Sequence, residues 1–182
     1  MSHGRDGSQA GADASAPDAF EEDVLTLMPA LRRYSRSLAR SDSDGEDLLQ
    51  DCVEKVLARR QQWRGANLRA WAFTIMTNLY RNGHRHRALH PEVEYEEALG
   101  LVAEDQNADP LQSRRLERAL ERLSADNRSV LMLVVIEGYR YQDVAELMAI
   151  PIGTVMSRLS RARRQLAEAM KDDNVITLRR PK

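Results

Sequence analysis

The sequence predicts an all-α protein built as two small helical domains that are joined by an acidic linker. Only 5% of its 182 residues are aromatic, and no run alternates apolar and polar residues as a half-buried strand requires. Apolar residues recur instead at helical spacing in two separate blocks. A chain of this length has room for one or two domains, and its 42% hydrophobic content is enough for packed cores.

Composition narrows the class of protein further. The formal net charge is −1, so there is no overall basic field, and charge is divided by region instead. The single cysteine, Cys52, excludes a disulfide or cysteine-based zinc site within the chain and is expected to be a small core residue. No segment approaches the about 20 apolar residues that span a bilayer, and the N-terminus does not resemble a signal peptide. We therefore expect a cytoplasmic protein with no membrane insertion.

The order of the segments gives the domain organisation. Residues 91–111 contain seven carboxylates and no Lys or Arg, which is typical of a linker. The block that follows holds 11 Lys and Arg against seven Asp and Glu, so it is basic. We predict a disordered tail at 1–19, a helical domain at 20–90, the acidic linker at 91–112, a basic helical domain at 113–171 and a tail at 172–182.

Two short helices around a tight turn give the strongest functional signal. The first is predicted from Tyr141 to about Met148, and the turn spans 149–151, because Pro151 is tolerated at a helix start but not in an interior. The second helix has an apolar stripe, which consists of Val155, Leu159, Ala162 and Leu166. Its outward face carries Thr154, Met156, Ser157, Ser160, Arg161 and Arg164.

This pattern is typical of a helix-turn-helix, whose second helix lies in the DNA major groove. There Arg can grip guanine with two hydrogen bonds, and Ser can contact bases or phosphate. Arg158 and Arg163 lie at the flanks of the outward face, so we expect them to meet phosphates. The alternative interpretation is an ordinary solvated basic helix.

An acidic helix face stands out in the first block. Four residues at helical spacing point inward, namely Leu49, Cys52, Val53 and Val56. The opposite face then carries Asp47, Gln50, Asp51 and Glu54. Such a stripe is either a solvated surface or a docking face for a basic partner.

The next helical stretch, 67–90, contains no carboxylate. Its polar and basic face consists of Thr74, Asn78, Arg81 and Arg85, and Asn and Arg together can read base edges and hold phosphates. In the preceding loop, Trp63 and Arg64 are candidates to cradle an extruded base, because single-strand binding uses stacking surfaces and cations. Gly83 can end this helix early. The histidines His84, His86 and His90 are interpreted as extra phosphate donors, since no carboxylate or thiol lies nearby to complete a metal site.

Three motifs, in their order and spacing, resemble the extracytoplasmic-function (group 4) sigma factors of bacterial RNA polymerase. They are DGEDLLQDCVEKVL, NLRAWAFTIMTNLYRNGHRHR and RYQDVAELMAIPIGTVMSRLSRARRQL. The resemblance covers about residues 20–170, and the segment LMPALRRYSRSLARS is similar to the alphaproteobacterial general-stress branch. It implies that 20–90 is sigma domain 2, which binds the polymerase clamp and melts the −10 element. It implies that 113–171 is sigma domain 4, which binds the polymerase flap and reads the −35 element.

The resemblance also implies roles for the residues that match. The polymerase-binding residues are Asp47, Gln50, Asp51 and Glu54. The −10 residues are Trp63, Arg64, Thr74, Asn78, Arg81 and Arg85. The −35 residues are Thr154, Met156, Ser157, Arg158, Ser160, Arg161 and Arg164. The implied partners are core RNA polymerase, promoter DNA and an anti-sigma factor, with no metal, cofactor, catalytic residue or small-molecule substrate. Four places depart from the family pattern. Ser124 stands where Pro is usual, and Arg140 stands where Ser or Thr usually caps a helix. Ala149 replaces a frequent turn Gly, and Arg81-Asn82 stands where an Asp is often found.

The sequence fits two other classes of function less well. A stand-alone helix-turn-helix regulator usually dimerises to read paired half-sites, and the chain has no coiled-coil seam for that purpose. Such a regulator would also leave the acidic face and the carboxylate-free stretch unexplained. An enzyme has little support, because the sequence offers no phosphate loop, no metal-ligand cluster and no nucleophile beside a base.

Overall fold

The computed structural model describes residues 18–89 and 110–172, and these fold into seven α-helices, which confirms the predicted all-α class. The helices are α1 Ala19–Leu38, α2 Asp42–Ala58, α3 Leu68–Leu89, α4 Pro110–Glu121, α5 Ala125–Val135, α6 Tyr141–Met148 and α7 Ile152–Asp172, with a 3-10 turn at Arg60–Gln62. We call α1–α3 the N-terminal domain and α4–α7 the C-terminal domain. None of these helices is long and apolar enough to cross a membrane.

Most of both predicted tails and most of the predicted linker lie outside the described residues. The predicted tails at 1–19 and 172–182 each overlap a helix by one residue, because α1 begins at Ala19 and α7 ends at Asp172. The linker boundary differs more, because α4 begins at Pro110 and the linker was predicted to run to 112. Proline is favoured in the first turn of a helix, where its missing N–H costs no hydrogen bond. The acidic composition therefore extends up to the helix start but not into it.

Local capping signals set the helix starts in the N-terminal domain. The Asp18 carboxylate accepts from the backbone N–H groups of Phe20 and Glu21 at 3.1 Å, which caps α1. The Ser41 hydroxyl accepts from Asp44 N at 2.7 Å and caps α2. These side chains satisfy N–H groups that have no partner within the helix. The chain between 38 and 42 thus separates two helices inside what the sequence presents as one helical block.

The core of the N-terminal domain is built around Tyr34 of α1 and Phe73 of α3. Both side chains are fully buried, and their rings stack with centroids 5.0 Å apart. Cys52 of α2 is also fully buried, and its thiol contacts the Ala72 carbonyl oxygen at 3.6 Å. Burial raises the pKa of the Cys52 thiol to about 12. The prediction that Cys52 is a core residue is confirmed.

Helix α5 is the centre of the C-terminal domain. Its residues 127–133 are all buried, and it packs against α6 and α7. The Ser124 hydroxyl caps its start by accepting from Asn127 N at 3.3 Å. Gly138, with φ +70°, follows its end, and Tyr139 N–H donates back to Leu133 O at 3.0 Å. This is the hydrogen bond of a Schellman motif, which needs a left-handed residue that glycine adopts without strain.

The two domains pack directly against each other. Helices α1 and α3 contact α5 of the C-terminal domain, and α3 also contacts α6. Arg128 of α5 is only 3% exposed, and its guanidinium donates to the Ser37 and Ala39 carbonyls at 2.9 and 2.8 Å. These carbonyls lie at the C-terminal end of α1, where unpaired carbonyl groups carry partial negative charge. The interface therefore has specific polar contacts as well as apolar packing.

Candidate nucleic-acid interface

Helices α6 and α7 form the predicted helix-turn-helix. Helix α6 has the predicted bounds, and Val144 and Ala145 are buried against the rest of the domain. Ile150 N–H donates to Ala145 O at 3.0 Å across the turn. Pro151 O accepts from Thr154 N at 2.8 Å, which begins α7. The turn is therefore fixed by backbone hydrogen bonds on both sides.

Two unusual residues hold the ends of α6. Arg140 precedes the helix and its side chain has no acceptor atom, but its backbone N–H donates to the Asp143 carboxylate at 3.2 Å. A capping box has two hydrogen bonds, and Asp143 makes the one from the N3 side chain to the backbone of the N-cap residue. The other, to the N-cap side chain, cannot form with Arg140. At the other end Ala149 adopts φ 51° and ψ 49°. This left-handed conformation costs an L-residue roughly 1–2 kcal/mol.

The outward face of α7 is largely as predicted. Val155, Leu159 and Ala162 are buried, which orients the helix with its polar residues outward. The exposed members of the predicted face are Met156, Ser160, Arg161 and Arg164, with Arg163 beside them. Thr154 and Ser157 are half-buried instead, and Ser157 Oγ donates to Thr154 O at 3.0 Å. The helix thus presents three arginines and a methionine to solvent.

Arg158 does not lie free at the flank of this face. Its side chain is 18% exposed, and Nη2 lies 2.6 Å from Oδ2 of Asp126 in the first turn of α5. Sequence reasoning missed this pair, because an acidic residue in a first turn is usually explained by the helix dipole. No sequence signal connects the two residues across the 32 positions between them.

The acidic face of α2 is exposed as the helical spacing predicts. Asp47, Gln50, Asp51 and Glu54 are all solvent-accessible, and Gln50 Nε2 donates to Glu54 Oε1 at 2.9 Å. This hydrogen bond fixes one carboxylate on the face without neutralising it. The face is therefore an exposed negative surface of α2, and Asp47 and Asp51 also line a cleft with Arg40 and Arg87.

The basic face of α3 is present but partly covered. The helix continues through Gly83 to Leu89, so the early end that Gly83 allows does not occur and Arg85 stays on the helix. Asn78 and Arg85 are exposed. Arg81 is 22% exposed, and its Nε lies 2.6 Å from Oδ1 of Asp126. Thr74 Oγ1 donates to Ala70 O at 2.9 Å and lies 3.3 Å from Leu147 O of α6.

Contacts of Trp63 hold the loop before α3 in a defined conformation. The Trp63 ring is half-buried against Phe20 of α1 at a centroid distance of 5.3 Å, and its indole N–H donates to Ala66 O. Arg64 is exposed beside it. The contacts with Phe20 and Ala66 fix the position of the Trp63 ring and of the loop, so the exposed part of the ring has a defined orientation.

His84 is not a cationic phosphate donor near pH 7. His84 is half-buried, and burial, followed by the charges of Arg40 and Arg87, lowers its pKa below the usual value. It is therefore neutral near pH 7 and cannot strengthen phosphate binding by charge. His86 is exposed, and His90 lies outside the described residues. No group of three or more metal-ligating side chains occurs among residues 18–89 and 110–172.

Comparison with known proteins gives matches in both domains. Residues 24–77 match the model of the Sigma2 domain of PhyR, and residues 113–166 match that of Sigma-70 region 4. The ECF RNA polymerase sigma factor EcfG of Rhodopseudomonas palustris is 35% identical over 162 residues, which cover 86% of this chain and 87% of that protein. RNA polymerase sigma factor CarQ of Myxococcus xanthus is 28% identical, with 93% and 95% covered.

A solved structure is similar across both domains. The sigma factor RpoE of Bartonella quintana, in complex with the anti-sigma factor NepR, superposes with a TM-score of 0.69 at 34% identity. The superposition covers 85% of this chain and 98% of that chain. Since neither domain alone makes up 85% of this chain, the superposition includes parts of both.

The left-handed conformation of Ala149 predicts a stabilising substitution. Ala149→Gly should raise the free energy of unfolding by about 1 kcal/mol, because glycine adopts this conformation without strain. Ala145→Gly is the matched control: it lies inside α6 and should lower the free energy of unfolding by a similar amount. Urea unfolding followed by circular dichroism measures both. If Ala149→Gly destabilises as much as Ala145→Gly, the turn carries no strain.

Proposed function

The chain belongs to the ECF RNA polymerase sigma factors, and from that premise we propose how its surfaces direct core RNA polymerase to promoters. Sigma factors of this family are transcription regulators, and this chain acts as a specificity subunit rather than as an enzyme. The observation that carries the proposal is the presence, in one chain, of a helix-turn-helix with exposed arginines, an ordered acidic helix face and a basic helix. A stand-alone regulator accounts for only the first of these.

The acidic face of α2 docks on the polymerase clamp. Asp47, Asp51 and Glu54 are exposed on one side of a helix whose other side is buried, so they present a fixed row of carboxylates. Gln50 holds Glu54 in place through its 2.9 Å hydrogen bond. Charge complementarity of this kind favours a partner with a basic surface and increases the rate of association.

The outward face of α7 reads the −35 element. The residues assigned to it are Thr154, Met156, Ser157, Arg158, Ser160, Arg161 and Arg164. Of these, Arg161 and Ser160 are exposed at the centre of the face, where a recognition helix contacts base edges. Thr154 and Ser157 are half-buried and lie nearer the turn.

The α3 face and the loop before it read the −10 element. The residues assigned are Trp63, Arg64, Thr74, Asn78, Arg81 and Arg85. Asn78 and Arg85 are exposed and can contact DNA directly, whereas Thr74 and Arg81 are covered by α6 and Asp126. Full use of this face therefore requires that the two domains separate. The protein acts in the cytoplasm, where polymerase and DNA are both present.

An anti-sigma factor is the proposed regulatory partner. RpoE of Bartonella quintana, to which this chain is 34% identical, is in complex with the anti-sigma factor NepR in its structure. By this similarity, an anti-sigma factor of the same kind binds this chain and withholds it from polymerase. The match of residues 24–77 to the Sigma2 domain of PhyR agrees with a place in the same kind of regulatory system.

Run-off transcription with purified core polymerase tests the proposed function. Core polymerase with this protein should start transcription at specific sites in a genomic promoter library, and core polymerase alone should not. Each new start should be preceded by the same two-part sequence motif. If the protein instead binds duplex DNA alone and yields no core-dependent transcript, it is a stand-alone regulator.

Charge reversal on the acidic face should weaken polymerase binding. Asp51→Arg places a cation within a row of carboxylates that faces a basic partner, so affinity for core polymerase should fall by about tenfold or more. Asp23→Arg, an exposed reversal on α1, is the control for a general charge effect. Fluorescence anisotropy with labelled protein measures both. Equal affinities for the two variants would remove α2 from the polymerase interface.

Arg161 should contribute to sequence discrimination. Arg161→Ala in the polymerase-bound protein should cost about 1–3 kcal/mol at one base step of the −35 element and relax preference there. Arg163→Ala, the exposed neighbour at the flank, should weaken all sequences to a similar extent, because a phosphate contact carries no base information. Binding to a set of single-base promoter variants separates the two patterns. If Arg161→Ala instead lowers affinity equally for all promoter variants, Arg161 contacts phosphate rather than a base.

A further inference from the structure

One carboxylate joins the two DNA-facing surfaces. Asp126 Oδ1 lies 2.6 Å from Nε of Arg81 on α3, and Asp126 Oδ2 lies 2.6 Å from Nη2 of Arg158 on α7. Each oxygen of this carboxylate therefore accepts from one arginine. Arg81 belongs to the basic face of the N-terminal domain, and Arg158 belongs to the recognition helix.

The arrangement has the chemistry of an arginine–phosphate contact. A guanidinium donates to carboxylate and to phosphate oxygens in the same geometry, and both bonds are strengthened by charge. A DNA phosphate between Arg81 and Arg158 would likewise offer one oxygen to each guanidinium. While Asp126 is bound there, neither arginine can offer the same donor atoms to DNA.

We propose that Asp126 is an intramolecular substitute for a DNA phosphate, which holds Arg81 and Arg158 in the free chain and competes with promoter DNA for both. The proposal rests on the proposed function, because that function assigns both arginines to DNA. Through Asp126 and Arg81 the bridge adds one contact between the domains, and it withholds part of each DNA-reading face. Engagement of DNA and polymerase releases the bridge, and the domains separate.

The contact is built to be exchangeable. The Asp126 side chain is 34% exposed, and the two arginine side chains are 22% and 18% exposed, so solvent and competing anions can reach the bridge. Arg158 Nη1 is buried and has no hydrogen-bond acceptor among the described residues. A buried donor without a partner is unfavourable. A phosphate, which has more acceptor oxygens than a carboxylate, can satisfy Arg158 better than Asp126 does.

Two other polar contacts set the closed geometry without occupying DNA-facing residues. The Glu137 side chain is fully buried, and its carboxylate accepts from Arg33 at 2.9 and 2.8 Å and from Arg69 at 2.9 Å. Arg128 is anchored to the end of α1. These contacts set the orientation of the two domains, and that orientation places Asp126 beside Arg81. Among these inter-domain groups, Asp126 is therefore the one that competes with DNA for arginines of the proposed DNA-binding faces.

Asp126→Asn tests the proposal because it keeps the size of the side chain and removes its charge. Glu146→Gln is the matched control: it removes one negative charge from the same domain, and Glu146 is exposed and accepts a hydrogen bond from Gln142 of its own helix, neither of which is assigned to DNA. Thermal melts of both variants establish that each remains folded. Both are made in the full-length chain.

The first measurement is the distance between the domains. Spin labels at Ser43→Cys and Arg118→Cys, both exposed positions, report it by double electron–electron resonance, and buried Cys52 stays unlabelled. The unsubstituted chain and Glu146→Gln should give one short distance. Asp126→Asn should add a longer and broader population. A short promoter duplex added to the unsubstituted chain should shift it in the same direction.

The second measurement is duplex binding by the protein without polymerase. Asp126→Asn should bind a −35 duplex roughly 5- to 100-fold more tightly than the unsubstituted chain, the usual range for coupling between sites. Glu146→Gln should change affinity much less. If the two variants are equal in distance and in affinity, Asp126 is an ordinary surface charge and the proposal is wrong. If no form of the protein supports transcription with core polymerase, the proposed function fails, while the distances still report on the bridge.

Discussion

The relative position of the two domains depends on the buried guanidinium of Arg128. An arginine cannot lose its charge in a protein, so a side chain that is 3% exposed must find acceptors within the fold. The Ser37 and Ala39 carbonyls supply them at the end of α1, where the helix dipole is negative. If the domains moved apart by a few ångströms without water entering, this charge would be buried and unpaired. The closed arrangement is therefore a defined state rather than a loose contact, and leaving it requires full solvation of Arg128.

Much of the fold follows from local signals in the sequence. Ser124 and Gly138 bound α5, and the apolar stripe from Val155 to Leu166 orients α7, because capping and helical period act within a few residues. The break between α1 and α2 depends on Ser41, whose capping role the helical pattern of the surrounding block conceals. The start of α4 at Pro110 does not follow from composition, because the acidic segment continues up to Asp109 and gives no signal for the exact start of the helix.

The candidate functional surfaces also have features that the sequence predicts and features that only the tertiary structure shows. The exposure of Asp51, Asn78 and Arg161 was predictable, because each lies opposite a buried stripe on its own helix. The partial cover over Thr74, Arg81 and Arg158 was not, because the groups that cover them come from other helices, 32 to 73 positions away along the chain. Helical periodicity determines which way a side chain points, and tertiary packing determines what meets it there.

The closed state also accounts for the charge balance of the chain. A free protein with uncovered basic faces would bind DNA without regard to sequence, since phosphate contacts dominate nonspecific affinity. Here Asp126 and Glu137 pair with four arginines within the protein, and the whole chain is close to neutral. Separation of the domains would release those cations together, at the moment when polymerase brings promoter DNA to the surface. Because the Asp126 carboxylate pairs with Arg81 of α3 and Arg158 of α7, it can couple the arrangement of the domains to the availability of arginines on both proposed DNA-binding helices.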